Sequence, residues 1–191
     1  MQAIDLPKPQ TALGRPLMQV LKDRSSTREF SPEKLPLQVL SNLLWAAFGL
    51  NRPDSGKRTA PSAKNWQEID IHVATSEGLY LFDAKDHRLQ PILPQDIRAM
   101  TGGQPYVKDA PVNLVYVADH SKMGDAKSEV NALYSGADTG LISQNVYLFR
   151  ASERLATVVR ALIDRPALAK TMKLRPEQMI TLAQSVGYPK K

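Results

Sequence analysis

Arg24-Ser25-Ser26-Thr27-Arg28-Glu29-Phe30 stands between a short apolar run, Leu17 to Leu21, and the pair Ser31-Pro32. The apolar run is long enough for one or two helical turns, and Ser-Pro is a turn or helix-start signal. An extended backbone in between puts alternate side chains on one face. Arg24, Ser26 and Arg28 then share a side, two guanidiniums flanking a hydroxyl. Guanidinium forks match oxyanions in pairs, so such a face suits a phosphate and a second electron-rich group. On residue types alone a solvated basic loop is the simpler account, because short motifs often match by chance.

Outward from this stretch, Met1 to Gly14 is rich in Pro and polar residues and reads as an arm. Pro36 to Phe48 carries Leu37, Leu40, Leu44 and Ala47 at helical spacing, with Gly49 as the stop. Leu50 to Gln67 reads as a long polar loop, a length that is usually functional or disordered in a compact domain. Ile69 to Thr75 alternates as a strand does, turns at Ser76-Glu77-Gly78 and pairs back through Leu79 to Phe82. His72 falls on the polar phase of that strand and is expected at the surface. Arg88 to Leu93 fits a short strand, Pro94 to Met100 a short helix ended by Gly102-Gly103, and Val112 to Ala118 a buried strand.

The longest helix is expected from Ser128 to about Arg154, with Val130, Leu133, Ala137, Leu141 and Leu148 on one face. Tyr134, Val146 and Phe149 broaden that face, which predicts burial on more than one side. Ala156 to Arg160 and Met179 to Val186 read as strands. Asp164 can cap a helix running to Lys173, with Pro166 in its first turn. Helices and strands are mixed rather than alternating in βα units, so the fold class is α+β. Residues 1–191 read as a single domain, with 1–14 as its N-terminal arm.

Composition bounds the chemistry. The 191 residues are 42% hydrophobic and 23% charged, enough for a real core. The formal net charge of +6 is compatible with nucleic acid, an anionic surface or anionic ligands. The charge is spread along the chain, no basic run exceeds two residues, and aromatics are only 6%, so a base-stacking surface is not suggested. With no cysteine, disulfides, thiol catalysis and cysteine-ligated metals are excluded. His72, His87 and His120 lie on no metal-ligand spacing. The longest apolar run, Leu43 to Leu50, is too short to span a membrane. Met1 to Gln10 holds no signal-peptide core, so the cytoplasm is the expected compartment, a removed targeting segment leaving no trace. No nucleophile–base pair, Gly-rich phosphate loop or paired carboxylate motif stands out. In an enzyme without side-chain chemistry of its own, a cofactor carries the reaction.

Arg24 to Phe30 resembles the N-terminal signature of FMN-dependent nitroreductases. Three further stretches match in the expected order: Arg58 to Gln67 (RTAPSAKNWQ), Ser143 to Leu148 (SQNVYL) and Val186 to Pro189 (VGYP). The resemblance runs from about Leu17 to the last residue and is to a compact, SagB-type member of the family. It implies a central, mostly antiparallel sheet flanked by helices, and a long central helix at a homodimer interface. It also implies a single FMN-binding domain with NAD(P)H as reductant and small-molecule acceptors such as nitroaromatics and quinones, served by ping-pong hydride transfer. Neither a nucleic-acid nor a membrane partner is implied.

The resemblance also assigns parts. Arg24, Ser25 and Ser26 match positions that hold the FMN phosphate and ribityl chain, and Arg28 one near the N1/O2 edge of the ring. A fixed cation there stabilises the negative charge that two-electron reduction brings. Pro61, Ser62, Ala63 and Asn65 match a loop that lines the flavin from the neighbouring subunit, which puts Lys64 at the mouth. Gln104 matches an amide near the ring, and Ala161 and Leu162 match backbone N–H groups on the N5 side. Lys190 and Lys191, the cations left after the Gly-Tyr-Pro turn, can complete the phosphate site or form a free tail. No catalytic side chain and no metal are implied.

This chain departs from the pattern in several places. Many relatives have Arg or His at Ser25 and a second Ser at Ala63. A Gly-rich pattern usually ends the long helix, where Ser152-Glu153-Arg154-Leu155 stands, and Gly is common at Ala161 and Leu162. Leu162 can narrow the face over the flavin. Three alternatives therefore stay open: a flavin oxidase or dehydrogenase of the same fold, a flavin-binding protein without turnover, and a basic nucleic-acid-binding domain with only its charge in favour.

Overall fold

The computed structural model describes residues 1–124 and 128–190. In chain order the first half forms β1 (Ile4–Asp5), α1 (Leu17–Asp23), α2 (Leu37–Phe48), β2 (Leu50–Arg52), β3 (Lys57–Arg58), β4 (Ile69–Thr75), β5 (Gly78–Asp83) and β6 (Arg88–Leu93). The second half adds β7 (Val112–Asp119), α3 (Ser128–Glu153), β8 (Ala156–Arg160), α4 (Arg165–Met172) and β9 (Gln178–Gly187). Seven strands make one sheet in the order β1-β6-β5-β4-β7-β9-β8, and every neighbouring pair is antiparallel. The expected α+β class and antiparallel sheet are both present.

The two faces of the sheet carry separate cores. Ile69, Ile71, Val73, Leu114 and Tyr116 face Leu43, Leu44 and Phe48 of α2 and Ile142 and Val146 of α3. Ala74, Val115, Val117 and Ile180 face Leu168 and Met172 of α4, with Ile97 and Leu79. β7 lies in the middle of the sheet and is buried at every residue, which is why its sequence is an apolar run rather than an alternation. The same double cover corrects the expectation for His72. In β4 it pairs opposite Val115 and is 5% exposed, because the polar phase of this central strand shares its face with Ala74 and Val115 of the second core and not with solvent.

Two loop expectations also change. Leu50 to Gln67 is not an unstructured loop: β2 and β3 pair as a small antiparallel ribbon, Leu50 opposite Arg58 and Arg52 opposite Lys57. Its turn is closed by Gly56 at φ 63°, a conformation that suits glycine. Pro94 to Met100 does not form a helix, only a 3-10 turn at Arg98–Thr101. The Asp96 carboxylate accepts from the Arg98 backbone N–H at 3.0 Å and from its guanidinium at 2.7 Å and 2.9 Å. Local side-chain bonds of that kind compete with helical ones.

α4 begins as expected, with Asp164 accepting the Ala167 N–H at 3.1 Å and Pro166 in the first turn. α3 has the expected length but the opposite facing. Asn131, Ser135, Asp138, Thr139 and Ser143 are buried against the chain, whereas Val130, Leu133 and Leu141 are 38%, 70% and 44% exposed. Of its apolar residues Ile142 and Val146 join the sheet core, and Tyr147 and Ala151 are also less than a tenth exposed. No helix among the described residues is long and apolar enough to cross a membrane.

Candidate functional site

β8 is an edge strand of the sheet, and Arg24 to Arg28 runs along its outer side. The Thr27 N–H donates to the Thr157 carbonyl at 2.9 Å, which fixes the stretch to the edge. Ser26 and Tyr147 share a hydrogen bond between hydroxyls of 2.9 Å, and the Tyr147 hydroxyl accepts the Val159 N–H at 3.0 Å. Tyr147 comes from the last turns of α3 and is buried, so its hydroxyl needs these partners. The Arg24 guanidinium stands over the same ring, 5.4 Å from its centroid. Arg24 and Ser26 therefore do share a side, as an extended backbone requires.

A third cation joins them. Arg150, one turn beyond Tyr147, donates to Thr27 Oγ1 at 2.6 Å and to the Asp23 carbonyl at 3.2 Å. Its Nε is buried with no hydrogen-bond partner. Burial, and then the positive charge of Arg24, hold the Arg150 guanidinium below its usual pKa. Two like charges kept this close leave a positive field that an anion would relieve. Ser25, Arg28 and Lys190 are exposed on the same edge. Lys190 is brought there by the bridge between Phe30 and Pro189 and by its own N–H, 3.4 Å from the Glu29 carbonyl. Lys191 lies outside the described residues.

Beyond the end of β8, Ala161 and Leu162 are exposed, Leu162 by 63%. The Gly103 N–H donates to the Leu162 carbonyl at 2.9 Å, which brings Gln104 beside them. Gln104 Oε1 is buried and unpartnered. A Cβ on Gly102 would collide with both Gln104 Oε1 and the Arg160 guanidinium, so a bare backbone is needed at this point.

The remaining predicted residues lie elsewhere. The Ala63 N–H donates to Asp138 of α3 at 3.0 Å, and Ser62 Oγ accepts the Gln67 N–H at 2.8 Å and donates to Glu68 at 3.3 Å. Asn65 adopts a left-handed φ of 57°, as do Lys64 and Gln67 at 50° each, and Pro61 is exposed. Glu68 is fully buried, and burial raises its pKa above the ordinary carboxyl value. Asp138 and Tyr147 are nine residues apart on α3, about 13 Å along a helix axis at 1.5 Å per residue. Within one chain, then, Arg24, Ser25, Ser26, Arg28, Lys190, Gln104, Ala161 and Leu162 gather around β8, and Pro61, Ser62, Ala63 and Asn65 do not join them.

Tyr147, Arg150 and Arg160 were absent from the expected site. Tyr147 sits inside the matched Ser143–Leu148 stretch, and that match is the signal that could have marked it. Arg160 closes the mostly apolar strand Ala156–Arg160, and a charge at that place is a second such signal. Arg150 carried no such mark in sequence.

The donors and acceptors present suit FMN. Guanidiniums and a hydroxyl suit its phosphate, and a free amide oxygen suits a ring N–H. Comparison with known proteins identifies the family. The model of the nitroreductase family matches residues 21–188. A protein of Methanocaldococcus jannaschii, provisionally assigned as a nitroreductase, is 30% identical in an alignment 152 residues long that covers 74% of this chain and 76% of that protein. A crystal structure from Ralstonia eutropha, under a similar provisional assignment, has a TM-score of 0.95 at 41% identity, over 100% of this chain and 91% of the other. The NADPH:FMN oxidoreductase of Vibrio harveyi, solved with NAD+, shares the fold at a TM-score of 0.69 and 18% identity, over 92% of this chain and 69% of that one.

Proposed function

This chain belongs to the nitroreductase family, and from that premise we propose that it is an FMN-dependent oxidoreductase that uses NAD(P)H to reduce nitroaromatic, quinone or similar acceptors. The observation that carries the reading is the convergence of Arg24, Ser26 and Arg150 around Tyr147, on the same edge as the unpartnered Gln104 Oε1. When bound, FMN would supply two-electron hydride chemistry between NAD(P)H and an acceptor. The protein's own groups bind and orient. Arg24, Arg150 and the Ser26 hydroxyl hold the phosphate, with Ser25 and Lys190 beside them. Gln104 and the backbone of Ala161 and Leu162 hold the edge of the ring, and Arg28 lies where reduction adds negative charge. Access to one slot in turn suits a ping-pong order. No catalytic side chain is required, in keeping with the lack of a nucleophile–base pair.

The active form in this reading is a homodimer. The exposed Val130, Leu133 and Leu141 of α3 form an apolar face that a second copy covers, together with Leu17 and Met18 of α1 at 61% and 76% exposure. The partner's Pro61, Ser62, Ala63 and Asn65 then reach the site that they cannot reach within their own chain. The proposed compartment is the cytoplasm, where NAD(P)H is at hand. Purified protein is expected to show an oxidised-flavin spectrum that bleaches when NADH or NADPH is added anaerobically and returns with a quinone. Flavin that stays oxidised would mark a passive binder instead. Colourless protein that takes up no FMN would refute the proposal.

A further inference from the structure

Arg160 is the last residue of β8 and is 5% exposed. Each of its hydrogen bonds goes to a neutral oxygen. Nη2 donates to Asn113 Oδ1 at 2.6 Å and to Thr101 Oγ1 at 2.9 Å, Nη1 to the Thr101 carbonyl, and Nε to Ser185 Oγ at 3.2 Å. No ion pair of the described residues includes it. Burial lowers its pKa to about 10, so the guanidinium keeps its proton at neutral pH. A buried charge without a counter-ion is costly, and a neutral donor could tie Thr101 to the sheet at less cost.

The position of this charge gives it a use. The guanidinium abuts Gly102, two residues before the unpartnered Gln104 Oε1, and Arg160 itself immediately precedes the exposed Ala161 and Leu162. The wall proposed to face the flavin ring is thus backed by a positive charge that no carboxylate cancels. Hydride transfer adds two electrons and one proton to the ring, NAD(P)H becoming NAD(P)+, and leaves the ring one unit more negative. A fixed charge in a low-dielectric wall acts on that change more strongly than one in water.

We propose that buried Arg160 tunes the cofactor site, raising the electron affinity of bound FMN by keeping an unneutralised positive charge behind the Gly102–Gln104 and Ala161–Leu162 wall. The proposal rests on the FMN reading above. It makes Arg160 a tuning residue that does not touch the cofactor, distinct from Arg24 and Arg28.

The test compares flavin-loaded wild type, Arg160→Gln and Arg160→Lys by FMN titration, anaerobic dye equilibration and thermal unfolding. Arg160→Gln is expected to raise the dissociation constant of reduced FMN about tenfold more than that of oxidised FMN, which lowers the two-electron midpoint by about 30 mV. Arg160→Lys loses the fork and some stability but keeps the charge, and its midpoint is expected to stay near that of wild type. Asn113→Asp keeps Arg160 and sets a carboxylate against it. It is expected to lower the midpoint as Arg160→Gln does, and it carries the test if Arg160→Gln does not fold. Equal midpoints in all proteins, or the same shift in the Lys and Gln variants, would overturn the proposal and leave Arg160 a structural tie. A wild type that takes up no FMN overturns the cofactor reading itself.

Discussion

At the scale of single residues, charge and burial set the expectations. Arg24 is exposed apart from its contact with Tyr147, so its loss should leave the fold intact. Arg24→Ala is expected to weaken FMN binding by about 1.5–3 kcal/mol, the worth of a charged hydrogen bond to phosphate. Titration of the apo-protein at two salt concentrations measures this, and unchanged affinity removes Arg24 from the site. His72 is the opposite case. Burial lowers its pKa to about 4, and its Nδ1 has no partner. The unfolded chain binds a proton below about pH 6.5, the ordinary histidine value, and the folded chain does so only near pH 4. Stability from this group is therefore complete above about pH 6.5 and is lost as the pH falls towards 4, by an amount on the order of 3 kcal/mol. His72→Leu should flatten that part of the acid limb. Urea unfolding of both proteins at pH 7 and pH 4.5 tests it, and parallel losses would mean that other groups dominate.

At the scale of elements, the end of α3 shows a local cost. Arg154 terminates the helix at φ 57°, and the Leu155 N–H returns to the Arg150 carbonyl at 3.0 Å. A residue with a Cβ is strained in that left-handed region, and glycine is not. The chain places Arg and not Gly at this left-handed turn. Arg154→Gly is expected to stabilise the protein by roughly 0.5–1 kcal/mol, after the extra freedom glycine gives the unfolded chain is subtracted. A thermal melt that falls instead would show that the Arg154 side chain holds contacts worth more than the strain. The elements themselves were largely readable. α2, β4, β5, β7, α4 and β9 follow from apolar periods of 3.6 or 2 and from capping residues, all short-range signals. The 3-10 turn at Arg98–Thr101 was not readable in this way, because one carboxylate, Asp96, redirected a segment that otherwise suits a helix.

At the scale of the whole molecule, the facing of α3 predicts assembly. Burying Asn131, Ser135, Asp138 and Thr139 while Leu133 and Leu141 meet solvent suits a subunit better than a lone chain. Leu133→Glu with Leu141→Glu is expected to turn a dimer at micromolar concentration into a monomer and to reduce FMN retention. Sedimentation of the flavin-loaded protein decides it, and a wild-type monomer with full flavin would defeat both the dimer and the shared site. Sequence by itself determined the α+β class, most strands and helices, and the motif residues, because backbone periodicity and capping are written within a few residues of each other. Tertiary structure alone decided which faces are inside. His72 is buried because the second face of the sheet at β4 also carries a core, and the apolar stripe of α3 is outside because its polar side found partners within the chain. It also decided the make-up of the site. Ser26 meets Tyr147 across 121 residues and Thr27 meets Arg150 across 123, and contacts at that separation depend on how the sheet and α3 pack.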